Sequence, residues 1–469
     1  MKRILALFLA LALSFASLVS AVRAAETKTV SAAPESDTLQ VLMIGNSFSR
    51  DCSFYLSSLA KLVGKKISAA YLYVGSCTLA MHADYAKTAN PAYVYYKSNA
   101  ETGAMNVVKT NAKVTDALTA QKWDVVSLQN GVMDTAQSDT YGDLPYLIDM
   151  VKQYQPDAKL YWNMTWAVAP LYSSSAFDKL FHRNQTAMFD SIVDCLNQFI
   201  VSNENFDNIV YVGAALQNMR ERDLQSKRTA FYQDNMTRDR YHLSCKSGRL
   251  IAAMTWLKTL YPDADLDLIT TEALEKILVN EYHSSDPDLD DKKYQNTPEY
   301  LADIKDSVLD ALAGVPQKRS APAIADSGTA YASKVSVDLN GKPTEFDMYK
   351  LVDENGGDTN FIKLRDLAYF LNGTAAQFQV GYNGTISLST KKAYTPDGSE
   401  MQTPFSGPRD YKVCTTTIRV NGYTPFLTGI TLTDDDGGDY NYCNLRDLGT
   451  ALGFTVDWSE ERGIFVTTE

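Results

Sequence analysis

The chain has 469 residues, a formal net charge of −12 and an isoelectric point near 5.0. Such acidity argues against nucleic acid or anionic lipid as a partner, and the length is enough for two or three domains. Six cysteines are too few and too scattered for a disulfide framework, and their spacing fits no zinc site, so no cofactor and no metal are predicted. A bridge among Cys52, Cys77 and Cys245 would lie near the motifs described below, although buried free cysteine is the commoner state.

The N-terminus has the three-part pattern of a secretory signal peptide. Lys2 and Arg3 precede an apolar run over 4–19, and small residues follow up to Ala25. We therefore expect residues 1–25 to be the signal and 26–37 a linker, and cleavage takes the formal charge from −12 to −15. No other stretch approaches the roughly 20 apolar residues of a membrane span. The mature protein is expected to be secreted or associated with a bacterial cell envelope, with no membrane span after cleavage.

Strand and helix patterns alternate through a first domain expected at 38–313. Apolar strand-like runs occur at 39–44, 68–74, 124–128, 159–163 and 208–212. Helical patterns occur at 52–63, 111–120, 143–154, 176–201, 244–260, 267–279 and 298–313. This alternation predicts an α/β fold, a three-layer sandwich with a parallel sheet. In open sheets of this class, ligands bind beyond the carboxyl ends of the strands.

Ser47 follows the first strand at such an end, directly after Gly45 and Asn46. A serine at this boundary can simply cap the next helix. It can also be a nucleophile, but a hydroxyl alone is a poor one. That interpretation requires a general base, a group that orients the base, and donors for an oxyanion.

His242 is the best candidate for the base among the four histidines. It lies in RDRYHLS, with Asp239 three residues before it on the loop that enters a helix. From there the carboxylate can accept Nδ1–H and leave Nε2 free to take a proton from a serine. His182 follows Asp178 by four residues in a helical pattern, which is typical of a surface pair.

Candidates for the oxyanion donors follow the first three strands. Ser47 offers its own backbone N–H at the start of a helix, where negative charge is favoured. Gly75 would allow a substrate to approach its backbone. Gln129 and Asn130 could each offer a side-chain amide, although all three of these residues are also ordinary turn formers.

These motifs together resemble those of the SGNH/GDSL hydrolase superfamily. The matching blocks are GNSFS at 45–49, Gly75, LQNG at 128–131 and DRYHLS at 239–244, in the order serine, glycine, amide, Asp-x-x-His. NMTWA at 163–167 and GAALQNMR at 213–220 resemble a secreted, largely uncharacterised bacterial branch. The resemblance covers about 270 residues and implies a flavodoxin-like sandwich.

The resemblance also implies roles for residues. Ser47 would be the nucleophile, His242 the base and Asp239 the orienting residue. The N–H groups of Ser47 and Gly75, with one side-chain amide, would form the oxyanion hole. Members usually have Gly-x-Asn-Asp in the third block, whereas this chain has Leu-Gln-Asn-Gly at 128–131. Either Gln129 or Asn130 could therefore be the third donor, and Gln129 is our choice.

The function implied is ester hydrolysis through an acyl-enzyme on Ser47. Secreted members commonly remove acetyl groups from polysaccharides or hydrolyse short esters, so we expect a carbohydrate O-acetyl esterase whose partner is an acylated carbohydrate or small ester. The expected substrate-binding residues are Asn46, Trp166, Gln217 and Asn218. The alternatives are a noncatalytic surface or glycan-binding protein on this scaffold and a sugar O-acyltransferase.

A linker rich in Pro, Ser, Ala and Gly is expected at 314–333, followed by a second domain at 334–469. Segments 337–367 and 418–448 match at a shift of 81 residues, including an Asn-Gly pair, a GGD turn and LRDL. Each copy predicts a hairpin, a short helix and a hairpin, so the domain is expected to be α+β with two repeats. The leucines of LRDL are expected to be buried. The acidic GGD turns lack EF-hand spacing and are expected to be solvated hairpin turns.

The repeats resemble those related to the N-terminal domain of copper amine oxidases, which are appended to secreted bacterial proteins. The resemblance implies a fold and no copper, because the segment has no His-rich site. We expect an accessory module for attachment to a cell wall or a glycan.

Overall fold

The computed structural model describes residues 38–181, 183–229, 233–281, 297–319, 324–352, 357–425 and 427–468. The expected signal peptide and first linker, as well as His182, lie outside these residues. A seven-stranded sheet occupies the first part of the chain. Its strands are β1 (Leu39–Gly45), β2 (Ile67–Tyr73), β3 (Tyr93–Ser98), β4 (Met105–Ala112), β5 (Val125–Leu128), β6 (Lys159–Asn163) and β7 (Asn208–Val210).

The strand order in this sheet is β4-β3-β2-β1-β5-β6-β7. Strands β1, β5, β6 and β7 pair in parallel, with Val41 opposite Val125, and these four strands confirm the sequence prediction. The prediction of a parallel sheet needs correction on the other side, because β2, β3 and β4 pair antiparallel. The segment between β3 and β4, residues 99–104, is too short for a crossover helix, so the chain turns straight back. The sheet is therefore mixed.

Eleven helices accompany this sheet in the described residues. They are α1 (Ser47–Ser53), α2 (Leu56–Leu62), α3 (Leu79–Lys87), α4 (Val114–Leu118), α5 (Leu144–Tyr154), α6 (Ser175–Phe181), α7 (Gln185–Leu196), α8 (Val212–Gln225), α9 (Gly248–Leu260), α10 (Thr271–Glu281) and α11 (Pro298–Leu312). A π-helical turn, Asn197–Val201, extends α7. In the described part of the chain, no helix combines the length and the apolar character needed to cross a membrane.

The C-terminal part is a separate, β-rich domain. Its strands are β8 (Ser327–Leu339), β9 (Lys342–Val352), β10 (Asp358–Lys363), β11 (Phe378–Tyr382), β12 (Ile386–Thr390), β13 (Arg409–Val413), β14 (Ile418–Val420), β15 (Gly429–Thr433), β16 (Asp439–Asn444), β17 (Thr455–Ser459) and β18 (Gly463–Thr467). Its helices are α12 (Leu364–Phe370) and α13 (Leu445–Leu452). The strands form an eight-stranded and a three-stranded sheet.

The duplication seen in the sequence is also visible in the backbone. Asn340 and Asn421 have φ angles of 50° and 52°, and the glycine after each is also left-handed. LRDL begins α12 and α13 in turn, and its leucines are buried as predicted. The end of the linker needs correction. β8 begins at Ser327, inside the expected linker, because its residues pair with β9 and β13.

The acidic turn at 434–439 is held by its own hydrogen bonds. The Asp434 carboxylate accepts the N–H groups of Asp436 and Gly438. The matching turn near residue 355 lies largely outside the described residues. No group of three or more His, Cys, Asp or Glu side chains that could hold a metal ion occurs in the described ranges.

Candidate active site

Ser47 is the first residue of α1 and is half-buried at the carboxyl end of β1. Asn46 caps this helix, since its side chain accepts the N–H of Phe48 at 2.9 Å. Gly45 is required by space rather than by its φ angle. A Cβ atom at this position would lie 2.8 Å from Cδ of Gln129. The small residue lets the turn into α1 pack directly against the side chain that follows β5.

Asn46 and Gln129 belong to a buried network of amides. Gln129 Nε2 donates to Asn46 Oδ1 at 2.9 Å, and Gln129 Oε1 accepts from Ser49 and from Asn163, both at 2.9 Å. Asn46 also donates to the carbonyl of Cys77. Asn46 is 0% exposed and Gln129 is 1% exposed. These amides are engaged inside the protein, and the roles of Asn46 in substrate binding and of Gln129 as the third oxyanion donor stay predictions.

Asn130 is engaged in the same way. Its Nδ2 donates to Thr140 Oγ1 at 2.9 Å, and its Oδ1 accepts the N–H groups of Gly131 and Leu79. The side chain is 0% exposed. Asn130 thus fixes the turn after β5 to the start of α3, and its role as the alternative donor stays a prediction.

Asp239 and His242 form a close pair on the loop before α9. The distance from Asp239 Oδ2 to His242 Nδ1 is 2.6 Å, and the other carboxylate oxygen accepts the backbone N–H of His242 at 2.8 Å. Burial raises the pKa of Asp239, but the hydrogen bonds from the side chain and backbone of His242 lower it more, so the net pKa lies below its usual value. The carboxylate is therefore ionised at neutral pH and holds the imidazole with Nε2 available.

His242 lies beside the helix that begins with Ser47. The centroid of its ring is 6.3 Å from that of Phe48, the next residue after Ser47. Among the described residues, the Ser47 hydroxyl has no hydrogen-bond partner. The backbone N–H groups of Ser47 and Gly75 likewise have no acceptor in the described part of the protein. The Ser47 hydroxyl and these two backbone N–H groups thus have no protein partner in the described residues.

Trp166 contacts the residues next to both Ser47 and His242. It is 0% exposed, and the expectation that it binds substrate stays a prediction. Its ring stacks on Phe48 with centroids 4.0 Å apart, and its Nε1–H donates to the carbonyl of Tyr241 at 2.8 Å. Other buried aromatic side chains of this domain, including Tyr93 and Trp162, belong to the hydrophobic core.

Gln217 and Asn218 lie on α8, and their hydrogen bonds are internal. Gln217 accepts from Gln185 at 2.6 Å and is 3% exposed. Asn218 donates to the carbonyl of Ser307 on α11 at 3.0 Å and accepts from Arg319. These bonds join α8 to neighbouring elements, and substrate binding by these amides stays a prediction.

Asp51 is a residue near the site that the sequence analysis did not single out. It is 0% exposed, lies four residues after Ser47, and accepts the N–H of Leu243 at 2.8 Å. Its other oxygen pairs with Arg249 Nε at 2.9 Å and with Arg238 at 3.3 Å. The spacing of four on a helix could have drawn attention to it. Its partners, almost 200 residues later, could not be read from the sequence.

All six cysteines are free. Cys52, Cys77 and Cys245, near the site, are buried, and so are Cys195 and Cys443, whereas Cys414 is half-buried. Burial raises the pKa of the Cys77 thiol to about 12. The same cause raises the pKa of Cys52 further. These thiols are protonated at neutral pH and are not nucleophiles.

Residues 40–268 match the model of a family described as a domain of unknown function, DUF4886. Comparison with curated proteins gives no match. Among solved structures, the chain is similar to a DUF4886 family protein from Bacteroides uniformis, with 28% identity and a TM-score of 0.48, over 59% of this chain and 95% of that chain.

Two further similar structures have lower scores. A protein described as a candidate SGNH hydrolase from Slackia heliotrinireducens has 17% identity and a TM-score of 0.30, over 48% of this chain and 99% of that one. A family two carbohydrate esterase from Clostridium thermocellum, in complex with cellohexaose, has 14% identity and a TM-score of 0.21, over 38% and 55% of the two chains. Proteins named as hydrolases are thus among the structures that this chain is similar to.

Proposed function

We propose that the protein is a serine hydrolase that cleaves ester bonds, with Ser47 as nucleophile, His242 as general base and Asp239 as the residue that orients the base. The observation that carries this proposal is the Asp239–His242 pair at 2.6 Å, with its imidazole beside the helix that begins at Ser47. A serine becomes a useful nucleophile only with such a neighbour. The three residue types and their order in the chain also match the SGNH resemblance.

In the proposed reaction, Ser47 Oγ attacks the carbonyl carbon of the ester while His242 Nε2 takes the hydroxyl proton. The N–H groups of Ser47 and Gly75 stabilise the negative charge that develops on the carbonyl oxygen. The protonated imidazole, held by the ionised Asp239, then gives its proton to the departing alcohol. Water, activated by the same imidazole, hydrolyses the acyl-enzyme and releases the acid.

We propose an acylated carbohydrate, cleaved by O-deacetylation, as the substrate class. This rests on the family resemblance, since secreted members commonly remove acetyl groups from polysaccharides. Secretion through a signal peptide over residues 1–25 is part of the same proposal. The C-terminal repeats, with their resemblance to the copper amine oxidase N-terminal domain, are proposed to attach the enzyme to a cell wall or a glycan.

The proposal is tested with p-nitrophenyl acetate, wild-type protein and the Ser47→Ala variant. We expect turnover by the wild type and a loss of at least about 10³-fold in kcat for Ser47→Ala. Ser53→Ala is the matched control on the same helix, since the Ser53 hydroxyl donates to the carbonyl of Arg50 and not to the site. Equal turnover by wild type and Ser47→Ala would contradict the proposal and favour a noncatalytic binding protein on this scaffold.

A second measurement separates hydrolysis from transfer. Acetylated xylan, peptidoglycan and pectin fragments are incubated with the wild type, and free acetate is compared with acetylated acceptor sugar. Release of acetate supports the esterase. Dominant transfer to an added sugar would instead identify an O-acyltransferase that uses the same three residues.

A further inference from the structure

His242 lies in a loop, residues 237–247, that we call the histidine loop. Its base is closed by a bridge between Thr237 and Leu243, and the N–H of Arg238 donates to the carbonyl of His242 at 2.9 Å. Arg240 has a φ angle of 81°, which turns the chain back toward His242. These bonds shape the loop, but they do not attach it to the helix that carries Ser47.

The first attachment of the histidine loop to α1 passes through Trp166. The indole Nε1–H donates to the carbonyl of Tyr241, the residue before His242, at 2.8 Å. The same indole stacks on Phe48, the residue after Ser47, at 4.0 Å and an interplanar angle of 20°. One fully buried side chain therefore touches the immediate neighbours of the proposed nucleophile and of the proposed base.

The second attachment passes through Asp51, one helical turn after Ser47. Its carboxylate accepts the N–H of Leu243, the residue after His242, at 2.8 Å. Arg249 Nε at 2.9 Å and Arg238 at 3.3 Å hold the other oxygen, and Arg249 is 2% exposed. The Asp51 carboxylate is therefore fixed on α1 and bonded to the residue after His242, whereas Trp166 is bonded to the residue before it.

We propose that Trp166 and Asp51 are positioning residues that hold the histidine loop against α1 and so set the distance over which Ser47 gives its proton to His242. This inference rests on the proposed function. Proton transfer needs a heavy-atom separation of roughly 2.6–3.2 Å. A displacement of about 1 Å can reduce the rate about 10²-fold. Both side chains are buried, so their loss should lower kcat more than it changes KM.

The first test compares Trp166→Phe with Trp123→Phe on p-nitrophenyl acetate. Trp123 is also buried and also donates Nε1–H to a backbone carbonyl, that of Ala117, at 2.9 Å. Each change keeps an aromatic ring and removes one indole N–H. We expect kcat to fall at least about tenfold for Trp166→Phe, with KM within about twofold of the wild type, and both constants to stay within about twofold for Trp123→Phe.

The second test compares Asp51→Asn with Asp366→Asn. Asp366 is a buried carboxylate in the C-terminal domain that accepts the N–H of Met401 at 3.0 Å and pairs with Lys363 at 3.1 Å. Each change neutralises a buried carboxylate that accepts one backbone N–H and pairs with a basic side chain. Turnover is measured at a temperature where circular dichroism shows both variants to be folded. We expect kcat to fall at least about tenfold for Asp51→Asn and to change less than about twofold for Asp366→Asn.

The outcomes separate this inference from the proposed function. If Ser47→Ala is inactive while Trp166→Phe and Asp51→Asn keep kcat within about twofold of the wild type, the positioning role is overturned and the proposed function stands. Equal losses in kcat for each variant and its control would also overturn it, since they would indicate a general loss of structure. A wild type without Ser47-dependent turnover would overturn both proposals.

Discussion

At the level of single residues, Asn46 and Gln129 show how polar side chains next to the proposed nucleophile are used. Both lie at the ends of buried strands, and both side chains are almost fully shielded from solvent. A buried donor or acceptor without a partner costs about 1–3 kcal/mol. The two amides therefore bond to each other and to neighbouring groups. A sequence position at a strand end indicates proximity to a site, but it does not decide whether a side chain faces the ligand or the protein.

His82 is the titratable residue whose burial has the clearest consequence for stability. It is 1% exposed, its Nδ1 lies 2.8 Å from the hydroxyl of Tyr93, and Nε2 has no partner in the described residues. Burial lowers the pKa of His82 to about 4, whereas an unfolded histidine titrates near 6.5. Between about pH 6.5 and pH 4, the His82 imidazole is protonated in the unfolded state and neutral in the folded state.

We therefore expect the free energy of unfolding to fall by about 2 kcal/mol between pH 7.5 and pH 5.0 through His82 alone, and to fall further until about pH 4. Urea unfolding followed by circular dichroism at a series of pH values measures this slope. His82→Gln removes the titrating group and should give a shallower dependence over the same range. An unchanged slope in that variant would show that His82 is not responsible.

At the level of elements, the carboxyl ends of β1, β5 and β6 meet in one buried amide network. Asn46 follows β1, Gln129 follows β5, and Asn163 ends β6 and also accepts the indole N–H of Trp256 at 3.1 Å. Adjacent parallel strands bring such positions together at one edge of the sheet. The sequence predicted these strand ends correctly, but the antiparallel strands β3 and β4 were missed. Strand β3 (YVYYKS) and strand β4 (MNVVKTNA) contain polar residues and do not form the continuous apolar runs that identified the central strands.

The network predicts the effect of Gln129→Leu. The change removes the Gln129 partner of the Ser49 hydroxyl, of Asn163 Nδ2 and of Asn46 Oδ1, so we expect the free energy of unfolding to fall by about 2–3 kcal/mol. Gln137→Leu is the control, because that half-buried side chain donates only a 3.2 Å hydrogen bond to the carbonyl of Met133. Its effect should stay below about 1 kcal/mol in the same urea titration. A similar loss for both variants would contradict a structural role specific to Gln129.

At the level of the whole molecule, the C-terminal repeats have hydrophobic cores of their own. One cluster contains only residues between Val337 and Val466, and a smaller one contains residues between Ala330 and Tyr442. The two LRDL segments contribute leucines to the first cluster, as the duplication predicts. Because these cores contain only residues of the C-terminal domain, this domain can unfold without removing core side chains from the first domain.

We expect Phe378→Ala, which empties a fully buried position on β11, to lower the stability of the C-terminal domain by about 3–5 kcal/mol. Differential scanning calorimetry should show one transition moved to lower temperature and another unchanged, with ester turnover retained at 25 °C. Tyr382→Ala on the same strand is the control, because that side chain is 69% exposed. If ester turnover were lost together with the transition that moves to lower temperature, the conclusion that the C-terminal domain has its own cores would be contradicted.

The sequence by itself determined the parallel strands, the repeat, and the local Asp239–His242 pair, because each depends on periodicity or on residues within one turn of chain. It could not determine the antiparallel strands β3 and β4, the burial of Asn46, Gln129, Asn130 and Trp166, or the contacts of Asp51. Those depend on which surfaces meet after folding. Arg249 reaches Asp51 across 198 residues, and Trp166 reaches Tyr241 across 75. Whether a polar or aromatic side chain faces water or the interior is set by these distant partners, so only the tertiary structure decided it.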